Sequence, residues 1–229
     1  MNSPNYYSDL ISRIREIQKV EIPGNLLSRQ PVRTGAEFDP NGYFEILTHL
    51  SLETGYILDF AYEYHEGLGG HPCLYARPVN DAPFESISQH QVWEENYSVF
   101  DYLIADGSPE SFFELVVFRE IANQFYLYWH ASYNDLRIIT AKDEIEKVIS
   151  LLNKGGWEQS DPEQVQAALK LNPNPEIELT ETSASVIYCT FTKWGGFTLH
   201  QEIFSRAHPH MLLCKDVLQT VTYNCGIVY

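Results

Sequence analysis

Residues 56–65, YILDFAYEYH, set the tightest limit on what this chain can fold into. Tyr56, Leu58, Phe60, Tyr62 and Tyr64 alternate with Ile57, Asp59, Ala61, Glu63 and His65. A period of two belongs to a pleated strand, where successive side chains point to opposite faces. Such a strand needs hydrogen-bonding partners. The preceding segment, Tyr43 to Leu52, repeats the pattern less cleanly, and Thr54-Gly55 between them reads as a hairpin turn. Cys73–Arg77 is a third strand. Near the end of the chain, Val186–Trp194 and Phe197–Ser205 flank Gly195-Gly196, a two-residue loop with the backbone freedom a tight hairpin requires. Met211–Cys214 and Val221–Val228 extend that strand-rich region.

Between the two strand-rich regions the pattern becomes helical. Ser108-Pro109-Glu110 supplies a capping hydroxyl, a proline in the first turn and an acid near the positive end of the dipole, so a helix is expected to about Ala122. Its Val-Val-Phe centre also suits a strand. Ile145, Val148, Ile149 and Leu152 form one apolar stripe, with Thr140 and Asp143 as a capping pair and Gly155 at the C-terminal cap. Asp161-Pro162 starts another helix that stops before Pro173. At the front of the chain, Leu10, Ile14 and Ile17 recur at helical spacing, with Ser8 as the expected cap. Phe125–Ala131 and Leu136–Thr140 read as strands joined by a turn at 133–135, and the acidic stretch before Ser108 reads as loop with a strand near Ser98–Ile104. This order is not the βαβα alternation of a parallel sheet. The expected fold is α+β, a predominantly antiparallel sheet packed against three to four helices. Residues 1–229 read as a single domain with a candidate subdivision near 124–141.

Charge narrows the partners. The net charge is −16, from 31 acidic and 15 basic side chains. A field of that sign repels phosphate backbones and anionic lipid surfaces, so neither nucleic acid nor a membrane is an expected partner. A basic protein or a small molecule remains. No Lys or Arg lies between Arg77 and Arg119, yet that gap holds Asp81, Glu85, Glu94, Glu95, Asp101, Asp106, Glu110 and Glu114. Carboxylates without a counter-charge are costly to bury, so these are expected mostly to face water. Neither an export signal nor a membrane-length apolar window is read, which makes the cytoplasm the expected location. The four cysteines lack CxxC spacing and read as free thiols.

Chemistry-bearing residues fall into three groups. The glycine-rich segment His65–Cys73 holds His65 and His71 together with Glu66 and Cys73, and Glu63 shares a strand face with His65. These are metal-ligand types, although the spacing matches no zinc signature and also suits a solvated hairpin loop. His208 and His210 flank Pro209, with Cys214 beyond and with His200 and Glu202 on one face of the neighbouring strand. Tyr126, Tyr128 and His130 share one face of the Phe125–Ala131 strand and could line a ligand cavity, while Phe125, Leu127 and Trp129 face the core. No Gly-x-Ser-x-Gly elbow or phosphate-binding loop is present, and the sequence names no cofactor. The expected function is a non-enzymatic binding or accessory role, through the acidic surface or an aromatic-lined pocket. The alternative is a metal-dependent hydrolase with a shell drawn from His65, His71, His208 and His210.

Overall fold

The structure, a computed structural model, describes residues 4–129, 136–154 and 161–223. It shows an α+β fold with antiparallel pairing throughout. The elements, in chain order, are α1 (Pro4–Ile17), β1 (Leu50–Leu52), β2 (Tyr56–His65), β3 (Gly69–Pro78), α2 (Ile87–Glu94), β4 (Leu103–Ala105), α3 (Pro109–Ile121), β5 (Tyr128–Trp129), β6 (Arg137–Ile139), α4 (Lys142–Lys154), α5 (Pro162–Leu169), β7 (Glu176–Leu179), β8 (Ser183–Thr192), β9 (Gly196–Ser205) and β10 (Leu212–Val221). Short 3-10 helices at Pro40–Glu45 and Val99–Tyr102 punctuate the first half. No helix among the described residues is long and apolar enough to cross a membrane.

The described residues form three sheets. β2, β3 and β5 form the first, β1 and β4 the second, and β10-β9-β8-β6 the third, with β7 also paired to β8. The alternating run Tyr56–His65 is a strand over its whole length, but its partner is β3, in register from Tyr56 opposite Pro78 to His65 opposite Gly69. The segment before it is not its hairpin partner. Tyr43 is buried within a 3-10 turn, and β1 pairs with β4, Leu50 opposite Ala105. A local turn at Gly55 (φ 91°) therefore joins strands of different sheets.

α3 explains why a helix can carry a Val-Val-Phe centre. Every residue from Ser111 to Phe118 is buried, and Ile121 as well. A helix apolar on all sides is one that the fold surrounds. α3 packs on β7 and β8 on one side and on β1 and β4 on another. Its side chains join Leu58, Phe60, Ala184, Val186 and Tyr188 in the larger hydrophobic cluster. Each fully buried Phe or Leu contributes about 1.5–3 kcal/mol relative to exposure, which exceeds the few tenths that β-branching costs in a helix. The start is capped as the sequence implies: Ser108 Oγ accepts from the Ser111 amide at 3.2 Å, with Pro109 next. A second cluster covers the opposite face of the third sheet, where Cys189, Phe191 and Phe197 meet Ile145, Val148 and Ala168 of α4 and α5.

Other expectations are corrected. α1 begins at Pro4, so Ser8 lies inside it and bonds to Thr140 Oγ1 (2.7 Å) and Glu144 Oε1 (2.9 Å) instead of capping. The partner of Thr140 at the α4 start is Glu144, whose carboxylate accepts the Thr140 amide at 2.7 Å; Asp143 instead binds Lys147. The acidic stretch contains a helix, α2, anchored by the buried His90. The strand expected at Met211–Cys214 is longer, running Leu212–Val221 as β10. Its Lys215-Asp216 pair is tolerated because β10 is a sheet edge exposed along most of its length. β7 was not anticipated. Six of the eight carboxylates in the Arg77–Arg119 gap are exposed, but Glu114 is fully buried, accepting from Tyr6 Oη and the His49 amide at 2.9 Å each. The expected turn at 133–135, the Gly155 cap and the strand to Val228 lie outside the described residues.

Candidate functional site

In an antiparallel ladder, opposed residues share a face, as do residues two apart on one strand. The β2–β3 register puts Glu63 opposite His71 and brings His65 and Cys73 to that same face. Glu63 Oε2 lies 3.5 Å from His71 Nε2, and Glu63 Oε1 lies 3.1 Å from His65 Nε2. One donor atom each from Glu63, His71 and Cys73 lies within 4.8 Å of the other two. Burial pushes the Cys73 thiol up to about 12, and the Glu63 and Glu94 carboxylates push it the same way. Such a thiol is a poor nucleophile by itself; a bound cation reverses that logic by displacing the proton.

His71 and Cys73 also form one wall of a cleft of about 510 Å³. Opposite them, α2 contributes His90, Trp93 and Glu94, and the segment after it contributes Tyr97 and Phe100. The end of α3 supplies Phe118 and Arg119, with Asn123 just beyond. The aromatic side is built by stacking: Trp93 lies 6.1 Å from Tyr97 and 6.4 Å from Tyr102, both near parallel. His90, 4% exposed, is fixed by Nε2 at 3.3 Å from the Leu74 carbonyl, which sets its tautomer with the proton on that nitrogen.

Arg119 is the one Lys or Arg on the cleft wall. Its Cζ sits 4.8 Å from the Phe100 ring centroid, within cation–π range. Its Nε is buried and lies 3.4 Å from Glu202 Oε2, without hydrogen-bond alignment on either side. The guanidinium makes no hydrogen bond to a described residue. Glu202 is fully buried on β9 and is held in turn by Tyr188 Oη at 3.0 Å and Lys215 Nζ at 2.8 Å, both on Oε1. The same two groups reach Glu120 Oε1, at 2.9 and 2.6 Å. Burial pushes the Tyr188 phenol strongly up, and the Glu120 and Glu202 charges add to that, so it remains a donor. The network fixes the charge that Arg119 leans on, and Arg119 lines the cleft.

The residues singled out from sequence are not gathered in one place. His65 and His71 flank Glu63 at the far end of β2. His208 Nε2 lies 3.6 Å from Glu53 Oε1, ahead of the start of β2, and ten strand residues span roughly 30 Å. His210 is 7% exposed, and its Nε2 accepts the Ala105 amide at 3.1 Å. The four histidines therefore cannot share one ion. Cys214 is in register with Ile203, one residue off the Glu202 face, so the His/Glu/Cys patch expected there does not assemble either. Tyr126 has φ 51°, which breaks the alternation of its segment; its side chain is buried, and its hydroxyl accepts the Phe38 amide at 2.9 Å. Tyr128, in the two-residue β5, is 43% exposed beside Tyr64. The two tyrosines do not form a shared ligand face, and His130 lies outside the described residues.

Sequence reading missed His90, Trp93 and Arg119 as neighbours of His71. They come from three separate elements, and no local period links them. The one available signal is the isolation of Arg119, the first cation after Arg77. No protein-family model matches the chain, and no curated protein or solved structure matches it at a significant level.

Proposed function

We propose that this chain is a small-molecule-binding protein whose cleft between β3, α2 and the end of α3 takes a planar aromatic molecule bearing a carboxylate. The observation that carries this reading is the pairing of aromatic walls with one guanidinium that lacks hydrogen-bond partners among the described residues. Ligand sites are mostly apolar with a few placed polar groups, and a cleft of about 510 Å³ is in the size range of such sites. A guanidinium has five donors in a planar fork that matches a carboxylate. Trp93 and Phe100 offer ring faces and edges for a planar body. The aromatic pocket expected from the sequence is thus moved from the Tyr126–Tyr128 segment to this cleft.

Calorimetric titration with benzoate, phenylacetate and indoleacetate, each beside its amide, tests the proposal. The acids are expected to bind more tightly than the amides by about tenfold or more, since a hydrogen bond to a charged group is worth about 1.5–3 kcal/mol. Arg119→Met is expected to remove the difference while leaving amide binding in place. Equal binding of acids and amides, or no heat from any of them at millimolar concentration, overturns it.

A further inference from the structure

We propose that Glu63, His71 and Cys73 form a zinc-type metal site at the mouth of the cleft. It stands on the β2–β3 register and not on the identity of any organic ligand. Three side chains of different chemistry converge on one face of the hairpin, each with a donor atom within 4.8 Å of the others. In a tetrahedral site with metal–N and metal–O distances near 2.1 Å and metal–S near 2.3 Å, donors are spaced about 3.3–3.7 Å apart. The His71 Nε2–Glu63 Oε2 separation of 3.5 Å already meets that. Cys73 must close by about 1 Å, which a side-chain rotation on a half-buried strand supplies.

The donor set selects the ion. One thiolate, one imidazole and one carboxylate oxygen suit a borderline cation such as Zn²⁺. A single oxygen ligand does not suit Ca²⁺ or Mg²⁺, which take six or more. Three protein ligands leave a fourth position open, and His71 and Cys73 both face the cleft. His65 completes the arrangement: its Nε2 lies 3.1 Å from Glu63 Oε1, the oxygen not directed at His71, so it orients the carboxylate from outside the shell. The sequence grouped His65 with His71 as ligands. The geometry assigns the direct role to His71 and a positioning role to His65.

The test uses untagged full-length chain, stripped with chelator under reducing conditions and titrated with Co²⁺. One equivalent is expected to bind with thiolate-to-cobalt charge-transfer absorption, and one equivalent of Zn²⁺ is expected to bleach it. Cys73→Ser abolishes the band, while Cys214→Ser keeps it. Calorimetry with Zn²⁺ then reads affinity: His71→Ala and Glu63→Gln are expected to lose more than tenfold, and His65→Ala about tenfold, the scale of an outer-shell loss. Circular dichroism of each variant, matched to the parent, separates ligand loss from unfolding, and a variant that fails that match is replaced by Cys73→Ala or His71→Gln. Absence of the charge-transfer band in the parent chain, or its survival in folded Cys73→Ser, overturns the assignment. Neither outcome bears on the aryl-acid titration, which depends on Arg119.

Discussion

Lys215 stands opposite Glu202 on adjacent strands of the third sheet, and its ammonium lies 2.8 Å from a carboxylate that has no exposure to water. Glu120 reaches the same ammonium from the end of α3 at 2.6 Å, so one cation joins the sheet to the central helix. Burial works against the charged ammonium, but the hydrogen bonds to Glu120 and Glu202 outweigh it and raise the Lys215 pKa. Lys215→Met strands two carboxylates around the Tyr188 hydroxyl. Breaking a fully buried pair costs about 3–5 kcal/mol. Lys215 is 39% exposed, so about 2 kcal/mol is expected after screening. The urea midpoint of the variant measures it, and a loss below ~0.5 kcal/mol removes the link between sheet and helix.

Asp59 is the corresponding anchor of the first sheet. It is 5% exposed, receives Arg77 Nε at 2.7 Å, and bonds Arg33 of the long connection before the Pro40–Glu45 turn. Arg33 also lies over the Phe60 ring at 4.0 Å. Asp59→Ala leaves two largely buried guanidinium groups facing each other, with an expected cost of about 3–4 kcal/mol. Because Arg33 is then released, limited proteolysis is expected to cut the segment around residues 24–38 first. Unchanged protection there counts against the clamp.

Gly196 cannot be replaced. Its φ is +79°, and an added Cβ would lie 2.1 Å from the Val221 carbonyl oxygen and 2.5 Å from the Tyr223 amide nitrogen. Both obstacles are backbone, so no side-chain rotation relieves them. Gly196→Ala is expected to cost more than about 3 kcal/mol, above the roughly 1 kcal/mol of an unfavourable φ alone. Gly195→Ala meets only the Thr192 hydroxyl at 3.1 Å and is expected to be much milder. Equal thermal shifts for the two variants would contradict the close approach.

Acidification separates the histidines. Burial lowers the His210 pKa, and the nearby His208 charge adds to that, while hydrogen bonds around Ser205 and Arg206 oppose it. Burial lowers His200 as well, with Lys215 adding. A depressed folded value means the unfolded chain binds the proton more readily, so these two contribute stability that is present above pH 6.5 and is lost as pH falls from there through their lower folded values. His49 runs the other way. Burial opposes its charge, but Asp106 and the Glu114 and Glu110 charges outweigh it, so its contribution is present below 6.5 and lost on going alkaline. That pair is partly exposed and worth at most about 1 kcal/mol. The net expectation is a lower urea midpoint at about pH 5.5 than at about pH 7.5, with a smaller difference in His210→Gln. A midpoint that rises on acidification would show that the His49 pair dominates.

Local pattern made much of the fold readable. The Tyr56–His65 alternation and the Ser108-Pro109 cap each act over a few residues, and each appears where the sequence places it; the hairpin expected at Gly195-Gly196 turns instead over residues 193–195, with Gly196 already in β9 opposite Thr192. Partner choice is not local. Tyr43–Leu52 has a strand-like pattern, yet the core draws Tyr43 inward and only Leu50–Leu52 pairs, with a strand some fifty positions on. Tyr126 shows the same limit on a smaller scale, since a single left-handed residue cancels the face shared with Tyr128. Glu63 and His65 could be placed together from period two alone. His71 and Cys73 joined them only through the β3 register, and Arg119 only through the packing of α3.

The walls of the cleft are contributed by residues 71–74, 90–100 and 118–123. An extended chain holds none of this arrangement, so whatever occupies the cleft favours the native form by mass action. At a ligand concentration about a hundred times Kd the gain is about 2.7 kcal/mol, which for a chain of this length raises the melting temperature by roughly 5–10 °C. The melting curve of the protein is therefore itself a detector, able to pick the natural ligand out of an extract whatever its chemistry.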